Sequence, residues 1–134
     1  MNETPLALLL FFDNAPEALL LYEAFAARVR EIVPAATIRV QKTQISFANR
    51  YNLAFVSRLA VRRAANRPRV WITITFGLDH RIASPRIDAV SEPYPNRWTH
   101  HVMVGSADEL DDELMGWVRE AAAYSAAKRP AGRS

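Results

Sequence analysis

The chain has 134 residues, half of them hydrophobic and 23% charged, which is typical of one soluble globular domain. It contains no cysteine, and this excludes disulfide bonds, thiolate metal sites and a cysteine nucleophile. The formal net charge of +3 is unevenly distributed, because residues 36–107 hold eleven basic side chains and only three acidic ones. Such segregation of charge bears on partners and solubility rather than on the fold.

The chain begins with an apolar run, "LALLLFF" (residues 6–12). The run is too short to span a membrane and lacks the basic start and cleavage site of a signal peptide, so we predict a buried strand or an extended lead-in. In the following "EALLLYEAFAARVREIV", apolar residues recur at three- and four-residue spacing and predict an amphipathic helix. Asp13 or Asn14 is expected to cap this helix, Pro16 suits its first turn, and Pro34 ends it.

The middle of the chain has the pattern of several strands. Apolar residues alternate with polar ones in both "TIRV" and "QISF", at even-numbered positions in the first and odd-numbered positions in the second. This change predicts two strands joined by a bulge or tight turn near Lys42 and Thr43. "NLAFVSRL" is a third strand, and "VWITITFGL" is the clearest strand in the chain. "RIDAV" and "WTHHVMV" are further strands, with "EPYPN" as a turn or loop between them.

The closing helix is expected to begin at "SADE", where Ser106 and Glu109 have the spacing of a capping box. The carboxylates of "DELDDE" are interpreted as a solvated helix start rather than a cation site. Together the elements predict a single α+β domain over residues 1–127, with residues 128–134 as a frayed basic tail. Its largely antiparallel twisted sheet of five or six strands would have an N-terminal and a C-terminal helix packed on one face.

Two adjacent histidines, His100 and His101, lie in the last predicted strand. Neighbouring side chains of a strand point to opposite faces, so the pair cannot bind one ion. We expect His100 to pack in the core with its ring nitrogens hydrogen-bonded, and His101 to lie on the open face of the sheet. The third histidine, His80, is interpreted as a loop residue. We therefore predict no metal site, no cofactor and no catalytic residue, and the four glycines match no phosphate-binding loop.

Fifteen of the seventeen basic residues are arginine, whose planar guanidinium suits phosphate and carboxylate partners. Trp71 and Trp98 lie in strands that flank the arginine-rich segments, so aromatic and cationic side chains are mixed along this part of the chain. Surfaces that bind single-stranded nucleic acid combine the same two kinds of side chain. The alternative is that these arginines only make a loop soluble. The candidate basic loop comprises Arg58, Arg62, Arg63, Arg67 and Arg69.

Two segments, "VQKTQISFANRYNLAFV" and "SPRIDAVSEPYPNRWTHHVMVGSADELDDELMGWVREA", resemble the family catalogued as domain of unknown function 5655. Its members share a Lys-Thr-x-Ile-Ser-Phe type segment and a His-His strand that leads into an acidic helix. The resemblance covers nearly the whole chain and implies no assigned activity, although domains that accompany its relatives mildly favour a binding role. The motif segments contain Lys42, Thr43, Ser46, Phe47, Arg86, Trp98, His100 and His101.

We predict a cytoplasmic, non-catalytic binding module for an anionic partner, either nucleic acid or a phosphorylated small molecule, with no membrane association. One alternative is a small-ligand protein or enzyme with a cleft near Lys42, Ser46 and His101. Another is a homodimer formed through the open sheet face. The candidate ligand-binding residues are Arg39, Lys42, Ser46, Trp71, Arg86, Arg97 and His101.

Overall fold

A computed structural model describes residues 5–128 of the protein, which form three α-helices and one six-stranded antiparallel sheet. The helices are α1 (Leu6–Phe11), α2 (Ala18–Ile32) and α3 (Asp112–Ala126). The strands are β1 (Thr37–Val40), β2 (Ile45–Asn49), β3 (Tyr51–Ser57), β4 (Ile72–Leu78), β5 (Ala89–Tyr94) and β6 (Arg97–Val104). Their order in the sheet is β1-β2-β3-β4-β6-β5.

This architecture confirms the predicted fold class, a single small α+β domain with a helix at each end of the sheet. Apart from Lys128, the predicted basic tail lies outside the described residues. Over residues 5–128, none of the helices combines the length and the apolar character needed to cross a membrane.

Helices α2 and α3 cover one face of the sheet, and the hydrophobic core lies between them and it. The helices bury residues at helical spacing, including Tyr22, Phe25 and Val29 in α2. The strands bury alternate residues, because successive strand side chains point to opposite faces. The strand residues in the core are Ile45, Phe47, Leu53, Ala54, Val56, Ile72, Ile74, Phe76, Leu78, Val102 and Val104.

Most strand predictions hold, with differences at the connections. The tight turn predicted at Lys42 is present, and the Gln41 amide donates to the Gln44 carbonyl at 2.9 Å. The segment "EPYPN" is mainly strand, because β5 continues through Tyr94 before the chain turns at Asn96, whose φ is 63°. Asparagine tolerates this left-handed conformation better than most residues, which explains the tight reversal there.

The apolar run at the start of the chain is a helix, so the prediction of a strand or extended lead-in was wrong. Leu8 and Phe12 are four residues apart, which places them on one helix face, and both are buried in the core. Leu6 and Leu10 remain 69% and 63% exposed. A run that is apolar at every position carries no periodicity that could distinguish a helix from a strand.

The helix starts also differ from prediction. Ser106 makes no capping hydrogen bond, and residues 107–109 form a short 3-10 turn instead. Asp111 caps α3, since its Oδ1 accepts a hydrogen bond from the Leu114 amide at 3.0 Å. Glu109 accepts a hydrogen bond from the Gly105 amide at 2.7 Å, so its carboxylate stabilises the preceding turn. Helix α2 has no side-chain cap, contrary to the expectation for Asp13 or Asn14.

We expect Asp111→Ala to lower the free energy of unfolding by about 0.5–2 kcal/mol, the usual effect of removing an N-cap. Ser106→Ala should change it by less than about 0.5 kcal/mol, because that hydroxyl caps nothing. Asp111→Asn is the matched control, since it keeps a capping oxygen and removes only the charge. Urea denaturation of the three variants measures these differences. Equal destabilisation by the two alanine variants would contradict this assignment of the cap.

Candidate functional site

The sheet face opposite the helices carries a row of side chains in register across five strands. Arg39, Ser46, Phe55, Thr75 and His101 are successive cross-strand partners. Three of them are predicted ligand-binding residues, so the sheet does bring these to one face. Neighbouring strands are about 4.8 Å apart, which separates the first and last members of the row by about 19 Å.

Ser46 does not join His101 in the predicted cleft. Its hydroxyl donates to Oε1 of Gln41 at 2.7 Å, and it lies with Arg39 in a separate shallow depression beside β1. Strands β3 and β4 lie between it and His101, so three inter-strand spacings, or about 14 Å, separate the two residues. The expected grouping of Lys42, Ser46 and His101 is therefore only partly present.

Part of this face is covered by residues 58–71, the segment between β3 and β4, which we term the covering loop. Beneath it, Thr73 and Met103 are fully buried although they point away from the helices. The Thr73 hydroxyl donates to the Leu59 carbonyl at 2.6 Å. The loop passes so close to β6 that a Cβ at Gly105 would lie 2.5 Å from the side chain of Pro68. The covering loop thus acts as a second, smaller layer over one end of the open face.

An ion pair between Arg62 and Asp88 fastens the covering loop to the sheet. Nε of Arg62 donates to Oδ1 of Asp88 at 2.8 Å, and its Nη2 donates to the Met103 carbonyl at 3.1 Å. The other carboxylate oxygen of Asp88 accepts the Met103 amide at 2.7 Å. We term these three contacts the Arg62–Asp88 latch. Because Arg62 and Asp88 are mostly buried, they are less screened by solvent than a surface pair.

The arginines of the predicted basic loop do not present one continuous charged surface. Besides Arg62, Arg67 donates to a carbonyl of the loop itself, and Arg69 pairs with Glu17 at 2.8 Å. Arg63 is exposed, and its guanidinium makes no hydrogen bond to another described residue. Arg86, a predicted ligand residue outside the loop, pairs with the carboxylates of Asp111 at 2.7 Å and Glu113 at 3.0 Å. Arg86 therefore pairs with carboxylates at the start of α3.

Trp71 is 8% exposed, and the guanidinium of Arg58 lies 4.0 Å from the centre of its ring. The expectation that Trp71 stacks on a ligand is wrong, since the covering loop and Arg58 occupy the ring face. Its indole instead holds the Arg58 guanidinium by a cation–π contact, which is stronger where water is excluded.

Arg58 is a partly buried charge without a counter-ion among the described residues. Its Nε is buried and has no hydrogen-bond partner, and no carboxylate within residues 5–128 forms an ion pair with it. Burial lowers the pKa of Arg58, because the charged form loses contact with water. A desolvated charge without a partner is costly, so an anion beside Arg58 would be stabilised.

Arg58 lines a cavity of about 510 Å³ at the end of the open face where β3 ends, which we term the Arg58 pocket. Lys42 from the β1–β2 turn brings a second cation to it, and no carboxylate is among the lining residues. The complete lining is Phe11, Lys42, Thr43, Gln44, Phe55, Ser57, Arg58, Leu59, Thr75 and His101. Sequence analysis placed Lys42 and His101 among the candidates but assigned Arg58 only to the basic loop, because its stacking on Trp71 depends on the folded loop.

His101 is half-buried in this pocket and shares a hydrogen bond of 2.8 Å between its Nδ1 and the Thr75 hydroxyl. Which of the two donates depends on the imidazole tautomer. Burial lowers the pKa of His101, so the ring is neutral at neutral pH and offers hydrogen bonds rather than charge.

His100 lies on the core side of the same strand, which confirms that the two histidines diverge. It is fully buried and stacks on Phe76 with 5.1 Å between ring centres. Its Nε2 accepts the Ile82 amide at 3.0 Å, whereas Nδ1 has no partner among the described residues. Only one ring nitrogen is thus hydrogen-bonded, not both as expected.

The third histidine, His80, is exposed and lies between the carboxylates of Asp79 at 2.8 Å and Glu120 at 3.1 Å. Across the described part of the chain, no three histidine, aspartate or glutamate side chains come together in a way that could hold a metal ion.

The chain belongs to the family described as "Domain of unknown function (DUF5655)", whose model matches residues 10–125. The matched residues include the covering loop, the lining of the Arg58 pocket and all three histidines. Neither a curated protein nor a solved structure matches the chain.

His100 should make the free energy of unfolding depend on pH. Burial lowers the pKa of His100 from its ordinary 6.5, so the unfolded chain binds its proton more readily than the folded chain. This contribution is fully present above about pH 6.5 and decreases as the pH falls below that value. We expect His100→Gln, which can still accept the Ile82 amide, to flatten the decline between about pH 6.5 and 5. Urea denaturation at several pH values measures the slope, and an unchanged slope would contradict the prediction.

The Arg62–Asp88 latch should contribute far more to the free energy of unfolding than an exposed arginine of the same loop does. Arg62→Ala is expected to lower the free energy of unfolding by about 1–3 kcal/mol, because it leaves the buried Asp88 carboxylate with one partner fewer. Arg63→Ala, an equal change of charge in the same loop, should alter it by less than about 0.5 kcal/mol. Thermal or urea unfolding of both variants tests this, and similar effects would show that the latch contributes little.

Proposed function

We propose that this protein is a non-catalytic module that binds an anionic partner through a phosphate group in the Arg58 pocket. The observation that carries the proposal is the partly buried Arg58 guanidinium, which lines a cavity and has no counter-ion among the described residues. A bound phosphate would supply the missing counter-ion, and hydrogen bonds between ionised groups are the strongest of their kind.

The rest of the pocket suits the same ligand. Lys42 adds a second positive charge from a tight turn, and the hydroxyls of Thr43, Ser57 and Thr75 can donate to phosphate oxygens. Trp71 fixes the plane of the Arg58 guanidinium before any ligand arrives, which reduces the entropy lost on binding. We place the module in the cytoplasm, where phosphorylated partners are abundant.

The proposal predicts binding of inorganic phosphate at the Arg58 pocket. A hydrogen bond to a charged group contributes about 1.5–3 kcal/mol, so Arg58→Ala should weaken binding by roughly tenfold to a hundredfold. Lys42→Ala should weaken it less, because Lys42 is exposed and its charge is screened by solvent and salt. Titration of phosphate into isotope-labelled protein, followed by amide chemical shifts, gives both the affinity and the location.

Arg119→Ala is the matched control, since Arg119 is an exposed arginine of α3 and lines neither the Arg58 pocket nor its surroundings. Circular dichroism of Arg58→Ala checks that the Trp71 contact is not needed for folding. If phosphate shifts no amide near Ser57 and His101, or if Arg58→Ala and Arg119→Ala bind alike, the proposed function is wrong.

A further inference from the structure

A second cavity, of about 270 Å³, lies where β3 and β6 begin and β4 ends, between this end of the sheet and the C-terminal part of α3. We term it the Arg97 pocket. Phe55 and Thr75 line both this cavity and the Arg58 pocket. The two cavities therefore adjoin at Phe55 and Thr75, and we refer to them together as the groove.

The far end of the groove also carries two cations. Arg97 and Lys128 both line the Arg97 pocket, and its described lining contains no carboxylate. The pKa of Lys128 is lowered by burial and, to a smaller extent, by the positive charge of Arg97. Two like charges at one pocket repel each other, and an anion bound between them would relieve that repulsion.

Aromatic rings line the Arg97 pocket beside its cations. Tyr94 is 65% exposed, Trp98 also lines the cavity, and Nζ of Lys128 lies 5.5 Å from the centre of the Tyr124 ring. With Phe55 at the middle, the groove offers several flat surfaces on which bases can stack. Strand β4 lines the groove from Thr75 to Leu78, and these three strand steps correspond to about 10 Å. A ligand that reaches both pairs of cations must therefore be extended and carry more than one phosphate.

We propose that the groove binds single-stranded nucleic acid, with one phosphate at Arg58 and Lys42 and another at Arg97 and Lys128. Bases between these phosphates stack on the exposed rings, Tyr94 above all. This inference rests on the proposed function for the first phosphate only. An acidic peptide would satisfy the charges but not the rings, and a duplex keeps its bases paired and withholds them from stacking.

The test uses labelled oligothymidylates of increasing length and fluorescence anisotropy with the full chain. Affinity should rise at least tenfold once a strand is long enough to reach both pairs of cations. The double variant Arg97→Ala with Lys128→Ala should lose that gain and keep the affinity for inorganic phosphate. An abasic strand of equal length, with the same phosphates and no bases, should bind at least tenfold more weakly, as should a duplex of the same sequence.

Tyr94→Ala should reduce the difference between the thymidylate and the abasic strand, because Tyr94 is a stacking surface and carries no charge. Arg119→Ala again controls for charge alone. Equal binding of thymidylate, abasic strand and duplex would overturn the inference, as would a double variant that keeps the gain with length. If these results appear while phosphate still binds at Arg58, only the nucleic-acid inference fails. If phosphate binding itself is lacking, the proposed function fails as well.

Discussion

The Arg62–Asp88 latch is the contact on which the open sheet face of this protein depends. Helices cover one side of the sheet, so the other side needs its own cover wherever it carries apolar groups. The latch supplies that cover by holding the covering loop over Thr73 and Met103. The latch also holds the covering loop close to the point where the loop leaves β3. Arg58 lies at that point, with its guanidinium on the ring of Trp71. The rest of the face stays open and becomes the groove.

Charges that are segregated along the chain are mixed in space. Acidic residues from the terminal segments neutralise arginines of the basic middle, as Glu17 does for Arg69 and Asp111 does for Arg86. Folding thereby places carboxylates beside these two arginines of the basic middle. Among the described groove residues, the charges left without carboxylate partners lie in the Arg58 and Arg97 pockets. A binding surface is therefore better located by its uncompensated charges than by the density of arginine in the sequence.

Local pattern allowed much of the fold to be predicted. Alternation identified β4 and β6, and it separated His100 from His101 correctly, because the side-chain period of a strand is fixed by its backbone. Prediction failed where local signals were ambiguous. The uniform apolar run of α1 has no period, and the capping-box spacing of Ser106 and Glu109 did not reveal the 3-10 turn that moves the cap of α3 to Asp111.

The sequence by itself determined the fold class, the family, and the faces on which the two adjacent histidines lie. It also supplied Lys42, Arg97 and His101 as candidates, because their residue types suit an anionic ligand. Only the tertiary structure decided which cations remain unpaired, since ion pairs such as Arg62 with Asp88 join residues far apart in the chain. For the same reason, only the structure showed that the Arg58 guanidinium packs on the Trp71 ring. Only the structure showed, too, that Phe55 and Thr75 line both cavities. Burial and pairing are properties of contacts between segments, and no local pattern encodes them.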